Sequence, residues 1–153
     1  MPGTEHRLLN IFIGKWITNG ETLTPGEESV EIHASDIYKW VPGGFFIIHY
    51  AYGCIGDKHV GGIEIIGYDR NSNKYDSHLF DSADNIVISE LTLTEGIWTW
   101  LGPSPFQKPG TTLMHRATVE FSDDKKVMKA FHEASDDGEN WQPSMNVTLT
   151  KVE

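Results

Sequence analysis

Apolar and polar residues alternate along most of this chain, and only its beginning follows a helical spacing. The apolar residues there are Leu8, Leu9, Phe12 and Ile13. Because Gly14 follows them, the pattern predicts a short N-terminal helix. Beyond it, stretches rich in β-branched and aromatic residues are separated by clusters of Gly, Pro, Asn, Asp and Ser, which is typical of strands joined by turns. The predicted strands are 15–22, 29–41, 45–53, 60–68, 74–81, 86–94, 96–101, 112–121, 126–134 and 144–151.

About ten strands at hairpin spacing, with no helix between them, indicate an antiparallel meander rather than a parallel sheet. Closing such a meander into a barrel removes the exposed strand edges that it would otherwise present. The fold prediction is therefore all-β: an antiparallel barrel of about ten strands with a short N-terminal helix, in a single domain over residues 1–153. The Pro-rich stretch 102–110 is predicted to be a loop.

The predicted hairpin at residues 123–124 indicates which late side chains point into the barrel. With a two- or four-residue turn, Val119 faces Met128 and His115 faces His132 on the more apolar of its two faces. The apolar face of a strand pair is expected to leave water. We therefore predict that His115 and His132 are cross-strand neighbours inside the barrel. A three-residue turn would break this pairing.

Two other strand pairs give further inward candidates. Around residues 71–73, the more apolar face includes His78 and Phe80, so both are predicted to point inward. In strand 29–41, Asp36 shares an apolar face with Tyr38 and Trp40, which predicts an inward carboxylate. Strand 45–53 is apolar on both faces, so its period does not orient it. Its second apolar face indicates a cover, provided by the N-terminal helix or by another subunit.

Composition narrows the classes of partner. The chain of 153 residues has 12 Lys and Arg against 22 Asp and Glu, a formal net charge of −10. Such a charge repels phosphate, which argues against nucleic acid and anionic membranes as partners. No apolar run reaches the roughly 18 residues of a membrane span, so the expected location is the cytoplasm. A single cysteine, Cys54, fits a reducing compartment, and its surroundings favour an ordinary thiol.

Several short motifs together resemble one known family. They are Gly14-Lys15-Trp16, Trp40-Val41-Pro42-Gly43-Gly44, Gly67-Tyr68-Asp69 and Asp137-Gly138-Glu139-Asn140-Trp141. Their order and spacing resemble a largely bacterial family of lipocalin-like (calycin) barrels, domain of unknown function 1579, over about Leu8 to Lys151. The resemblance implies a closed or nearly closed barrel with an internal cavity, and no established reaction.

The same resemblance bears on two details. Lipocalin-like barrels often pair the tryptophan of the first strand with a basic residue near the end of the chain, and Lys151 is the residue in that place. Haem-binding relatives continue the first strand with a Gly-x-Gly pattern. Here the continuation is Ile17-Thr18-Asn19-Gly20, which departs from that pattern. No cofactor is therefore predicted.

The seven histidines of the chain do not form a local metal motif such as His-Glu-x-x-His, so no metal site is predicted. The sequence also lacks a Gly-x-Ser-x-Gly nucleophile motif. What remains is a set of inward polar and aromatic side chains suited to contact with a ligand. The predicted ligand-binding residues are His115, His132, His78, Asp36, Tyr38, Trp40 and Phe80.

Three functional hypotheses follow. In the first, the barrel binds a small, largely apolar molecule in its interior, oriented by histidines. In the second, an inward histidine and Asp36 form an acid–base pair that acts on a small hydrophobic substrate. In the third, the barrel is filled and the chain has a structural role, with the doubly apolar strand 45–53 forming a homodimer interface.

Overall fold

A computed structural model describes residues 1–105 and 112–153 of the chain. The chain begins with helix α1, Thr4–Leu8, and a 3-10 helix, Leu9–Phe12. Ten strands follow: β1 Gly14–Thr22, β2 Glu31–Trp40, β3 Phe46–Ile55, β4 Lys58–Asp69, β5 Lys74–Asp81, β6 Ile86–Thr94, β7 Ile97–Pro103, β8 Met114–Phe121, β9 Val127–Ser135 and β10 Gln142–Lys151. Within the predicted loop 102–110, residues 106–110 lie outside the described part of the chain.

The ten strands form one closed antiparallel barrel. Each strand pairs with its neighbours in sequence, and β1 pairs with β10 to close the sheet. The predicted fold, an antiparallel barrel with a short N-terminal helix, is confirmed. Within the described residues, no helix has the length and apolar character that crossing a membrane requires.

The N-terminal helices close one end of the barrel with aromatic packing. Leu9, Phe12 and Trp16 are fully buried there. The indole Nε1 of Trp16 donates a hydrogen bond to the Phe12 carbonyl oxygen at 2.8 Å, and the Phe12 ring meets the Trp98 ring edge-on at 5.3 Å. Lys151 stands opposite Trp16 in the register of β1 and β10, with its Nζ 5.6 Å from the indole centre. The pairing of the first-strand tryptophan with Lys151 is thus present.

Away from the closed end, the inward positions carry small or polar side chains. On β2, β3, β8 and β9 the inward alanines there are Ala34, Ala51, Ala117 and Ala134. Asp36, His49 and Glu64 also point inward, and each keeps 10–14% of its side-chain surface accessible. An inward side chain that remains partly accessible indicates free space inside the barrel, so this half is less completely filled than the aromatic end.

The β8–β9 register differs from the predicted one. Ala117 stands opposite His132, and His115 stands opposite Ala134, so the predicted direct pairing of the two histidines was wrong by two positions. The connection between Phe121 and Val127 is longer than predicted. A shift of two residues keeps every side chain on the same face, so both histidines still face inward and meet diagonally.

The β4–β5 hairpin shows the opposite orientation to the predicted one. His78 and Phe80 point outward and are exposed, so their predicted inward placement was wrong. The inward face carries Glu64 and Ser77. The prediction failed because it placed the more apolar face inside, whereas the polar groups of this hairpin are hydrogen-bonded to one another and to β3. A polar face can be buried when its groups satisfy each other.

Candidate functional site

An ionic cluster lies inside the barrel where β2, β3 and β4 meet. The strand registers place His49 opposite both Tyr38 on β2 and Glu64 on β4. The imidazole Nε2 of His49 lies 2.6 Å from Oδ1 of Asp36, and its Nδ1 lies 2.9 Å from Oε1 of Glu64. We call Asp36, His49 and Glu64 the interior triad. Its central imidazole is held by a carboxylate at each ring nitrogen.

A surrounding shell of hydrogen-bond donors completes the triad. Thr18 donates its hydroxyl to Oδ2 of Asp36. Ser77 donates its hydroxyl to Oε2 of Glu64, and the indole Nε1 of Trp100 donates to the same oxygen at 3.0 Å. All four carboxylate oxygens therefore accept at least one hydrogen bond, which is what two buried carboxylates require.

The positions of these donors fix the charge on His49. Both of its ring nitrogens face carboxylate oxygens, so both donate and the ring is an imidazolium. Burial by itself lowers the pKa of His49, but the hydrogen bonds to Asp36 and Glu64 outweigh burial and raise the pKa to about 9. Burial raises the pKa of Glu64, but the hydrogen bond and the charge of His49 more than reverse this and lower it. The triad is a closed ionic unit with one negative charge in excess.

Tyr38 lies flat against the triad. Its ring stacks on the imidazole of His49 with centroids 4.0 Å apart and planes within 10°. Burial, with the charges of Asp36 and Glu64, raises the pKa of the Tyr38 hydroxyl well above its ordinary value, so this hydroxyl stays protonated. The Phe12 ring lies on the other side of Tyr38, with centroids 5.5 Å apart, so Tyr38 joins the triad to the aromatic packing of the closed end.

The two late histidines form a second interior cluster, the histidine pair. Nε2 of His115 lies 2.9 Å from Nδ1 of His132, and the two rings stack at 27° with centroids 5.0 Å apart. Burial lowers the pKa of His115. Burial, followed by the neighbouring His115, lowers the pKa of His132 to about 3. Both rings are therefore neutral at pH 7, unlike His49.

A neutral histidine pair offers one donor and one acceptor to a third molecule. One of the two contacting nitrogens carries the shared proton, so the two outer nitrogens, Nδ1 of His115 and Nε2 of His132, consist of one N–H and one lone pair. Neither outer nitrogen has a hydrogen-bond partner among the described residues. Every fully inaccessible side-chain nitrogen or oxygen in that part of the chain has a partner. Both outer nitrogens therefore border accessible space.

The triad and the histidine pair are connected across the barrel wall. Trp100, which bonds Glu64, stands opposite Ala117 on β8, and Ala117 stands opposite His132 on β9. The charge of Glu64 also acts on the pKa of both histidines of the pair. The two clusters therefore border the same interior.

The predicted site residues fall into three groups by location: the barrel interior, the closed end and the outer surface. In the interior, Asp36 belongs to the triad, Tyr38 stacks on it, and His115 and His132 form the pair. Trp40 lies near the closed end and donates its indole Nε1 to Oδ1 of Asn10 at 3.0 Å, so it anchors the N-terminal helices. His78 and Phe80, the third group, are on the outer surface, as described above.

Sequence reasoning missed the centre of the triad. His49, Glu64 and Ser77 were not among the predicted site residues. One signal was present: Glu64 and Ser77 occupy the same face of a predicted hairpin, and on that face only a polar partner could satisfy them. His49 gave no signal, because β3 is apolar on both faces. No three His, Cys, Asp or Glu side chains in residues 1–105 and 112–153 are grouped so as to hold a metal ion.

Comparison with known proteins identifies the family. The model of a family described as a protein of unknown function, DUF1579, matches residues 1–151. The chain belongs to the DUF1579 family. Its lipocalin-like barrel is similar to the crystal structure of Rv2717c from M. tuberculosis, with 13% identity over all of both chains and a TM-score of 0.68.

The DUF1579 chain is also similar to the S-type phycobiliprotein lyase CPES from Guillardia theta. The identity is 9%, the alignment covers 99% of this chain and 94% of the lyase, and the TM-score is 0.69. At such low identities, the two structural likenesses establish a shared fold and nothing about the site. No curated protein matches the DUF1579 chain in sequence.

Proposed function

We propose that this DUF1579 protein binds a small, largely apolar and uncharged molecule inside its barrel. The ligand lies between the interior triad and the histidine pair, on the side of the barrel away from the N-terminal helices. The observation that carries the proposal is the pair of outer imidazole nitrogens, on His115 and His132, which border accessible space and have no partner in residues 1–105 and 112–153. Polar groups of this kind orient a ligand that burial of apolar surface binds.

The charges near the site favour a neutral ligand. The triad carries one excess negative charge, and the chain as a whole has a net charge of −10. An anionic ligand would be repelled at both levels. The neutral histidine pair supplies a hydrogen-bond donor and an acceptor but no charge. Binding then depends on buried apolar area, at roughly 25 cal/mol per Å², with one or two hydrogen bonds setting the orientation.

A fluorescence titration with N-phenyl-1-naphthylamine, a neutral apolar probe, tests this proposal. We expect a saturable rise in probe fluorescence together with quenching of the tryptophans. Ala134 stands opposite His115 on the inward face, so Ala134→Phe fills the proposed space and should abolish binding. Phe80→Lys changes only the outer surface and is the matched control, which should leave binding unchanged.

Two results would overturn the proposal. In one, Phe80→Lys abolishes probe binding while Ala134→Phe preserves it, which places the probe on the outer surface. In the other, the probe does not bind at all and native mass spectrometry finds no small molecule carried by the purified protein. Circular dichroism of each variant establishes that it is folded, and Ala51→Phe provides a second filling variant from a different strand.

The acid–base hypothesis has one geometric observation in its favour. A histidine does contact Asp36 at 2.6 Å inside the barrel, and it is His49. However, Glu64 occupies the other ring nitrogen of His49, so no lone pair remains to accept a proton from a substrate. We therefore place this reaction second. It would require turnover that His49→Gln abolishes while ligand binding persists.

A further inference from the structure

The outer surface of β3 to β6 carries a continuous apolar face, although it points away from the barrel core. Two neighbouring cross-strand rows make up its centre. One row is Tyr50, Ile63, Phe80 and Ile86, and the next is Ile48, Ile65, His78 and Ile88. Phe46 and Tyr52 extend it along β3. We call these ten residues the outer apolar face. It spans four strands without interruption.

The exposed area of this face matches what a stable protein interface requires. Eight of its large apolar side chains are exposed by 36 to 70%. Taking about 200 Å² for a fully exposed residue of this size, they present about 800 Å². Monomeric proteins seldom expose a contiguous apolar patch of that size, whereas a stable interface buries about 800 Å² on each partner. The face therefore has the dimensions of one half of an interface.

The charge distribution favours a second copy of the chain as the partner. Neither central row contains Asp, Glu, Lys or Arg, although the chain has 22 acidic and 12 basic residues. A partner attracted by opposite charge would find nothing to contact at the centre. Two copies can meet at these two rows without bringing like charges together, because acidic side chains such as Asp76 lie beside the rows and not within them.

The barrel geometry determines how the copies meet. All ten strands of the described residues are paired in the closed sheet, so none of them has a free edge to add a strand from a neighbour. The contact must therefore be face to face. Two recesses of about 450 and 430 Å³ border the face, one beside Phe46 and Ile65 and the other beside Tyr50 and Ile63. Such recesses accept protruding side chains of a copy across a two-fold axis, where one patch contacts itself.

We infer that the outer apolar face is the interface of a homodimer, in which two copies pack their β3–β6 surfaces against each other. This inference is independent of ligand binding, because the interface and the interior lie on opposite faces of the sheet. It also gives a role to the second apolar side of β3, which the N-terminal helix leaves exposed at Tyr50 and Tyr52.

Sedimentation velocity of the full chain, over about 1 to 200 μM, tests the inference. We expect a species of twice the 17.2 kDa chain mass. Phe80→Lys places a charge in the central row and should weaken association by at least about 100-fold, to a monomer. Phe131→Lys is the matched control: Phe131 points outward on β9 and is 38% exposed, against 45% for Phe80. That variant should remain a dimer.

Ile86→Lys provides a second disruptive variant. Ile86 is 70% exposed, so its replacement removes little packing from one barrel, and it should also yield a folded monomer. The inference is contradicted if the wild-type chain sediments as a monomer throughout the concentration range. It is equally contradicted if a dimer forms and both face variants leave it intact, or if Phe131→Lys dissociates it as strongly as Phe80→Lys.

Discussion

Strands β4 to β6 and strands β8 to β10 differ in how their apolar and polar side chains are divided between the two faces of the sheet. In β8 to β10, the inward side chains include Val119, Met128 and Leu149, while Lys129 and Glu120 face solvent. In β4 to β6 the inward face includes polar groups, and isoleucines and Phe80 face outward. The comparison teaches that alternation identifies two faces, but the larger number of apolar residues does not always identify the inner one, because hydrogen-bonded polar groups can occupy interior positions.

The inversion follows from the triad. Once His49 is charged between two carboxylates, the neighbouring strand must supply donors such as Ser77 to the remaining carboxylate oxygens. Those donors occupy inward positions beside the buried Ile66 and Leu91, and other apolar residues of the same strands face outward. There they are available to bind another surface. The polar groups inside β4 to β6 and the apolar face outside these strands thus both follow from the interior triad.

Removal of the central imidazole should have the largest effect. His49→Leu leaves Asp36 and Glu64 facing each other without a counter-charge, and breaking a buried ion pair in this way costs about 3–5 kcal/mol. His132→Leu removes a neutral ring whose contact is with another neutral ring, so its cost should be about 1 kcal/mol. Urea unfolding at pH 7 measures both. Equal losses in the two variants would mean that the interior triad and the histidine pair do not differ in charge.

The pH dependence of the free energy of unfolding should distinguish the interior triad from the histidine pair. The pKa of His49 is raised from 6.5 to about 9, so its contribution is fully present below pH 6.5 and is lost as the pH rises through 9. The pKa of His132 is lowered from 6.5 to about 3, so its contribution is present above pH 6.5 and is lost as the pH falls towards 3. On each side of neutral pH, the free energy of unfolding should fall by about 1–3 kcal/mol. We call these two decreases the acid limb and the alkaline limb.

Urea unfolding between pH 4 and pH 10 checks this prediction. The free energy of unfolding should be highest near neutral pH and should fall on both sides. His132→Gln should flatten part of the acid limb, where Glu64 also contributes because its pKa is lowered, and should leave the alkaline limb unchanged. A free energy that stays constant from pH 7 to pH 9.5 would contradict the assignment of a buried imidazolium.

A comparison of two adjacent residues should show a smaller effect. Ser77→Ala removes the hydroxyl that donates to Glu64 and should cost about 1.5–3 kcal/mol, since its acceptor is charged. His78→Ala alters an exposed side chain on the other face and should change the free energy of unfolding by less than about 0.5 kcal/mol. Thermal or urea unfolding of both variants at low protein concentration distinguishes them. The reverse order would restore the orientation predicted from apolar character.

Much of the fold could be predicted from the sequence, because turns and strand periods are local. All ten strands and the inward placement of Asp36 and Tyr38 followed from alternation. His115 and His132 face inward as predicted although their predicted register was wrong, since a shift of two positions keeps a side chain on the same face. The parts that failed depend on non-local pairing. The side occupied by Glu64 is decided by His49 on another strand, and β3 gives no periodic signal of its own.

Long-range ¹H–¹⁵N NMR of the histidine side chains tests the central claim most directly, since it reports the protonation of each ring nitrogen. At pH 7.5 the account predicts that His49 carries protons on both nitrogens and loses one only near pH 9, while His115 and His132 each carry a single proton. A spectrum in which His49 is singly protonated at pH 7.5 would contradict the account, as would a late histidine that is an imidazolium.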